Sequence, residues 1–222
     1  MEILNLGSHR IGVRFPEKGL RKGKNPAILL NDGELIEQLN LRTERAVLVG
    51  VYPNNRLSEY TPWPEPAIRP GTPDFGGQLG QYHRELNNEI FPALIDEYAL
   101  DTEKLAYGGY SLCGLAATMS LWETDAFAAV FSLCGSFWYP GVADFIEEHV
   151  PKNYSAQVYL QNGIREGEGH NNRLCDAYSY AQRVHTALQA TCGAKTVLDD
   201  YGHHDRQSER LNAALRWVER VL

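Results

Sequence analysis

The chain has 222 residues, 43% of them hydrophobic and 22% charged. That length fits a single domain spanning 1–222 and excludes two large ones, and a chain of this size buries roughly 70% of its unfolded surface, so its core needs no staples. Its 21 basic and 28 acidic side chains leave a net charge of −7, which sets nucleic acid aside, because phosphate binding rests on excess positive charge.

Four cysteines, none in a C-x-x-C pair, are too sparse for a disulfide scaffold and read as free thiols in a reducing compartment. The opening MEILNLGSHRIGVRF lacks a basic stretch followed by an apolar one, and no apolar run reaches the roughly 20 residues of a membrane helix. The expectation is a cytoplasmic protein with no membrane partner.

In chain order, short aliphatic runs predict strands at Arg10–Phe15, Ala27–Asn31, Ala46–Tyr52, Leu105–Tyr110, Ala128–Leu133, Val158–Gln161 and Thr196–Asp199. Helical periodicity falls at Leu79–Tyr98, with a kink or new turn expected at Pro92, and at Leu112–Trp122, Asn172–Gln189 and Gln207–Leu222. This alternation predicts an α/β fold, a sheet flanked by helices. Between them, Pro53–Gly80 carries six prolines among Tyr60, Trp63 and Phe75. A long loop rich in aromatics reads as functional rather than as a linker.

The sharpest local feature is KLAYGGYSLCGLAA, in which a strand meets a helix at Ser111 between Gly109 and Gly114. A nucleophilic serine needs such a tight turn and small neighbours, and the helix start favours negative charge beside it, which makes the Leu112 amide an oxyanion donor. The pattern G-x-S-x-G would have glycine at position 113, where this chain has Cys113. The same turn with a merely capping serine is the structural alternative.

A serine needs a base, and Tyr201-Gly202-His203-His204-Asp205 follows the final strand, where the order Ser, acid, His places one. His9, His83 and His185 fit less well. Metal binding by His170, His203, His204 and Asp205 has no recognised spacing behind it, and no metal or cofactor is expected. The orienting carboxylate is expected after the penultimate strand, at Glu166, with Glu168 and Asp176 as rivals. The turn Asn31-Asp32-Gly33 after an early strand makes the Glu34 amide the expected second oxyanion donor.

With these segments in view, ILLNDGE, EYTPWPEP, the FGG of Phe75 to Gly77, GGYSLCGLAA, GSFWYPG and GHHD together resemble the esterase family of α/β hydrolases that includes enterochelin-esterase-like enzymes, feruloyl-type esterases and S-formylglutathione hydrolases. The resemblance spans Ala27 to the C-terminus. It implies an α/β-hydrolase fold, a mostly parallel sheet with helices on both faces and no separate cap domain. It also implies Ser111 as nucleophile, Glu166 as acid, His204 as base, and Leu112 and Glu34 as oxyanion donors. Cys113 and His203 depart from the family pattern and are expected to crowd the site.

Trp63, Phe75, Trp138 and Tyr139 are the expected pocket wall, which suits an acyl or aryl group. The expected partner is a small-molecule ester, with no homo-oligomer indicated. Esterase activity leads. A catalytically silent binding module, motivated by the crowding, and an acyltransferase using the same residues are the alternatives.

Overall fold

A computed structural model describes residues 1–222. Its elements run β1 (Glu2–Leu6), β2 (His9–Arg14), β3 (Asn25–Asn31), α1 (Leu35–Gln38), β4 (Val47–Tyr52), α2 (Arg56–Glu59), β5 (Pro64–Glu65), β6 (Phe75–Gly76) and α3 (Leu79–Glu85). A π turn (Leu86–Ile90) joins α3 to α4 (Phe91–Tyr98). Then come β7 (Leu100–Tyr110), α5 (Leu112–Glu123), β8 (Ala129–Leu133), α6 (Val142–Glu148), β9 (Gln157–Gly163), α7 (Ala177–Cys192), β10 (Lys195–Asp199) and α8 (Gln207–Val221).

Eight strands form one sheet in the order β1-β2-β4-β3-β7-β8-β9-β10. Only the β1–β2 and β2–β4 pairs are antiparallel. The sheet is mostly parallel with helices on both faces, the architecture the sequence resemblance implied. Residues alternate across the sheet as a period of two requires. In β3, Ala27 and Leu29 join the core under α3, α4, α5 and α7, whereas Ile28 and Leu30 join the core under α1 and α8. With helices on both faces, the central strands β3, β4 and β8 are buried on both sides, which explains their near-continuous aliphatic runs. No helix is long and apolar enough to cross a membrane.

Each predicted strand has its counterpart in the sheet. The edge strand β1 has none among the predictions, because an edge strand exposed at Glu2, Ile3 and Asn5 lacks the buried apolar run that marks the others. The long helix expected at Leu79–Tyr98 is broken by the π turn just before Pro92, where the ring removes a backbone donor and an α-helix cannot continue unaltered. Pro53–Gly80 is not structureless: it holds α2 and the β5–β6 ribbon, tied together where Gly76 packs on Ser58 so closely that a Cβ would sit 2.2 Å from Ser58 Oγ.

Candidate active site

Six parallel strands, β4, β3, β7, β8, β9 and β10, point their C-terminal ends at one rim of the sheet, and the candidate residues sit on the loops that leave it. Between β7 and α5 the chain turns in one residue, Ser111, at φ 63° and ψ −123°. A non-glycine residue at such a φ is strained, and it lifts the hydroxyl clear of the strand. The strain is held by hydrogen bonds on both sides: Ser111 N–H donates to Leu133 O at 2.9 Å, and Ser111 O accepts from Ser136 N at 3.1 Å. As the first residue of α5, Leu112 has no intrahelical partner for its N–H.

Gly109 is required by the same turn, since a Cβ there would lie 2.3 Å from Cys113 Cβ, and Gly114 lies against Ser132. Cys113 therefore fits where the motif expects glycine because the space is conceded by Gly109. Its side chain is fully buried in the core and does not line the cavity, so the expected crowding by Cys113 does not occur. Burial pushes its thiol pKa up, which leaves it a neutral packing residue.

His203, not His204, meets the serine. His203 Nε2 is 3.0 Å from Ser111 Oγ and its Nδ1 is 2.8 Å from Glu166 Oε2. His204 is the exposed neighbour, its ring edge-on to that of His203 at 4.9 Å, and it lines the cavity rim. The turn decides between them. Gly202 N–H donates to Asp205 Oδ2 at 2.8 Å, and the Tyr110 hydroxyl donates to the His203 carbonyl, which fixes His203 inward and sends His204 outward.

Glu166 is 4% exposed, and its other oxygen accepts from Gly163 N–H at 2.7 Å and Asn162 Nδ2 at 3.2 Å. Burial works to raise its pKa, but the hydrogen bond and charge of His203 and the Gly163 amide outweigh it and hold the carboxyl below its ordinary value. An ionised Glu166 fixes the His203 tautomer with its proton on Nδ1, leaving Nε2 free to accept from the serine. The rivals do not contact His203: Glu168, on the cavity rim, is exposed and paired with Arg165 at 2.9 Å, and Asp176 is exposed just before α7. Behind the acid, Asn162 Oδ1 accepts from buried His185 Nε2 at 3.0 Å.

A cavity of about 530 Å³ opens over Ser111. Phe75 and Trp138 line it, with Leu57, Ile68 and Leu174. Trp63 and Tyr139 do not line it and are corrected to a supporting layer: Tyr139 Oη donates to Trp63 O at 2.6 Å, and its ring meets Phe75 edge-on at 5.2 Å. The aromatic run 137–139 cannot present every ring to one side. Phe137 and Tyr139 turn into the core while Trp138 faces the cavity.

Glu34 does not line the cavity; in the loop before it, Asp32 N–H donates to the Tyr60 hydroxyl and Gly33 N–H to Val51 O. The group that arrives there is Arg56, at the start of α2. Its Nε donates to both Asp32 oxygens at 2.8 and 3.1 Å, and Nη2 stands 3.8 Å from Cys113 Sγ. The sequence signal for it was the Pro53–Gly80 segment, but nothing there singles out one arginine. Ser136, with Oγ 3.3 Å from Ser111 Oγ, was likewise not foreseen.

One group of potential metal ligands exists, Cys134, Glu166 and His203. It is the acid and histidine with a thiol behind them, and the Arg210 cation 2.8 Å from Cys134 Sγ opposes a divalent ion there. All four cysteines are free.

A family model described as Putative esterase matches residues 7–217. The uncharacterized protein YbbA of Bacillus subtilis is 28% identical over 204 residues, covering 83% of this chain and 82% of YbbA. Among solved structures, an IroE-like serine hydrolase from Shewanella oneidensis superposes with a TM-score of 0.72 at 18% identity, covering 96% of this chain and 74% of that one. The siderophore hydrolase EstA of Aspergillus nidulans superposes at 0.75 with 17% identity, covering 96% and 90%.

Proposed function

Since the chain belongs to the Putative esterase family and is a carboxylic ester hydrolase, we propose that it cleaves small esters through Ser111, His203 and Glu166 by way of an acyl-enzyme. One observation carries this reading: the unbroken chain from Ser111 Oγ through the His203 ring to Glu166, at 3.0 and 2.8 Å, at the floor of a cavity.

Ser111 Oγ attacks the ester carbonyl carbon as its proton passes to His203 Nε2, and the imidazolium formed is stabilised by ionised Glu166. The oxyanion takes the Leu112 N–H and the Arg56 guanidinium, whose Nη hydrogens are not used by Asp32. His203 then protonates the departing alcohol. Water enters, loses a proton to His203 Nε2 and attacks the acyl carbonyl, and the returning proton regenerates Ser111.

Phe75 and Trp138 form the wall that receives an apolar or aryl part of the substrate, with the Arg173 guanidinium 5.6 and 5.7 Å from their ring centroids on the supporting side. The silent-module alternative loses its motive, because Cys113 points into the core and His203 is the histidine bonded to Ser111. The test is labelling by a fluorophosphonate together with hydrolysis of p-nitrophenyl esters. Label on Ser111 alone and a Ser111→Ala variant inactive toward the esters are expected. Equal rates for the two proteins would sink the mechanism.

A further inference from the structure

Arg210 is a charged side chain at 2% exposure on the inner face of α8, and the ester chemistry above does not use it. It is locked in place by Asp199 at the end of β10, with Nε to Oδ2 at 2.9 Å and Nη2 to Oδ1 at 2.5 Å, and Gln161 Nε2 donates to the same carboxylate at 2.8 Å. This is a fork of two parallel bonds that holds guanidinium and carboxylate in one geometry. The remaining nitrogen, Nη1, faces three acceptors: Tyr110 Oη at 3.1 Å, Cys134 Sγ at 2.8 Å and Gly202 O at 3.1 Å.

Arginine only donates. The Tyr110 oxygen therefore accepts from Arg210, and its single proton is left for the His203 carbonyl. The consequence is geometric. Arg210 grips the carbonyl of Gly202 directly and that of His203 through Tyr110, so the peptide planes on both sides of the His203 Cα are pinned. With both planes fixed, the direction of its Cα–Cβ bond is fixed as well.

We propose that Arg210 is a positioning residue which, with Tyr110 as its relay, aims His203 at Ser111 and keeps His204 off it. The role rests on the assignment of His203 as base. A buried arginine used only for stability would need no more than its Asp199 fork. The bonds to Gly202 and Tyr110 are those that reach the histidine turn.

Three variants test this: Tyr110→Phe, Arg210→Met and Arg210→Lys. Displacing a catalytic group by about 1 Å costs on the order of 10²-fold in rate, so Tyr110→Phe and Arg210→Met should lower kcat on p-nitrophenyl acetate about that much with KM within about threefold. Arg210→Lys, which still donates toward Gly202 and Tyr110, should recover about tenfold over Arg210→Met. The structure-specific readout is the downfield proton resonance of His203 Nδ1–H in the resting protein, assigned by its loss in His203→Ala. It should broaden or vanish in Tyr110→Phe and Arg210→Met.

Where Arg210→Met does not fold, Tyr110→Phe decides, because it leaves the Arg210–Asp199 fork intact. Folded variants that keep both the wild-type kcat and the resonance would overturn the proposal. If wild-type Ser111 takes no fluorophosphonate label, the hydrolytic mechanism fails, and the resonance alone then decides whether Arg210 positions His203.

Discussion

Replacing each of two adjacent histidines by alanine separates the geometry from the motif. His203→Ala removes both bonds of the Ser111–His203–Glu166 chain and leaves Glu166, 4% exposed, with a charge and no imidazole partner. General-base assistance contributes about 10² to 10⁴, and removing one member of an interdependent triad costs more, so kcat/KM should fall at least about 10³-fold, or about 4 kcal/mol of transition-state stabilisation. His204→Ala loses an exposed edge contact at 4.9 Å and part of the rim, and less than about a threefold change is expected. The assay is kcat/KM on p-nitrophenyl acetate at neutral pH, with thermal unfolding to confirm that both variants fold. A larger loss in His204→Ala than in His203→Ala would refute the assignment.

Arg56→Met should lower kcat roughly 10²-fold, the scale for one oxyanion donor, and an unchanged kcat would remove the guanidinium from the mechanism. Cys113→Ala should keep kcat within about threefold while losing roughly 1–2 kcal/mol in urea unfolding, because it empties a packed core position and not the cavity. A large rise in activity would instead show that Cys113 crowds the serine. Burial pushes the His185 pKa down to about 4 from 6.5. The unfolded chain thus binds the proton first, and stability present above about pH 6.5 is lost as pH falls toward 4, by about 3 kcal/mol. Urea unfolding across that range should show this loss, and a His185→Gln variant with the same slope would refute it. Trp138→Ala should raise KM for an aryl ester about tenfold more than for the acetyl ester, whereas Tyr139→Phe, which loses the bond to Trp63 O, should cost about 1 kcal/mol of stability and leave KM unaltered.

The buried strands and the order of the functional segments were legible because each is a local pattern. A parallel strand covered on both faces must be an unbroken aliphatic run, and a one-residue strand-to-helix turn must be flanked by residues such as Gly109 and Gly114 that concede space. Glu166 was legible for a similar reason. It closes a short turn whose own Gly163 amide binds it, so its distance from the strand end is set locally.

Tertiary structure alone chose between His203 and His204, adjacent residues of the same type whose directions are set by carbonyls held from β7 and α8. It also placed Phe75 and Trp138 on the cavity with Trp63 and Tyr139 behind them, and brought Arg56, but not Glu34, to the cavity lining. Sequence spacing fixes which loop a side chain leaves from. The side it faces depends on peptide planes pinned from other elements, by Tyr110 on β7, 93 positions away, and by Arg210 on α8.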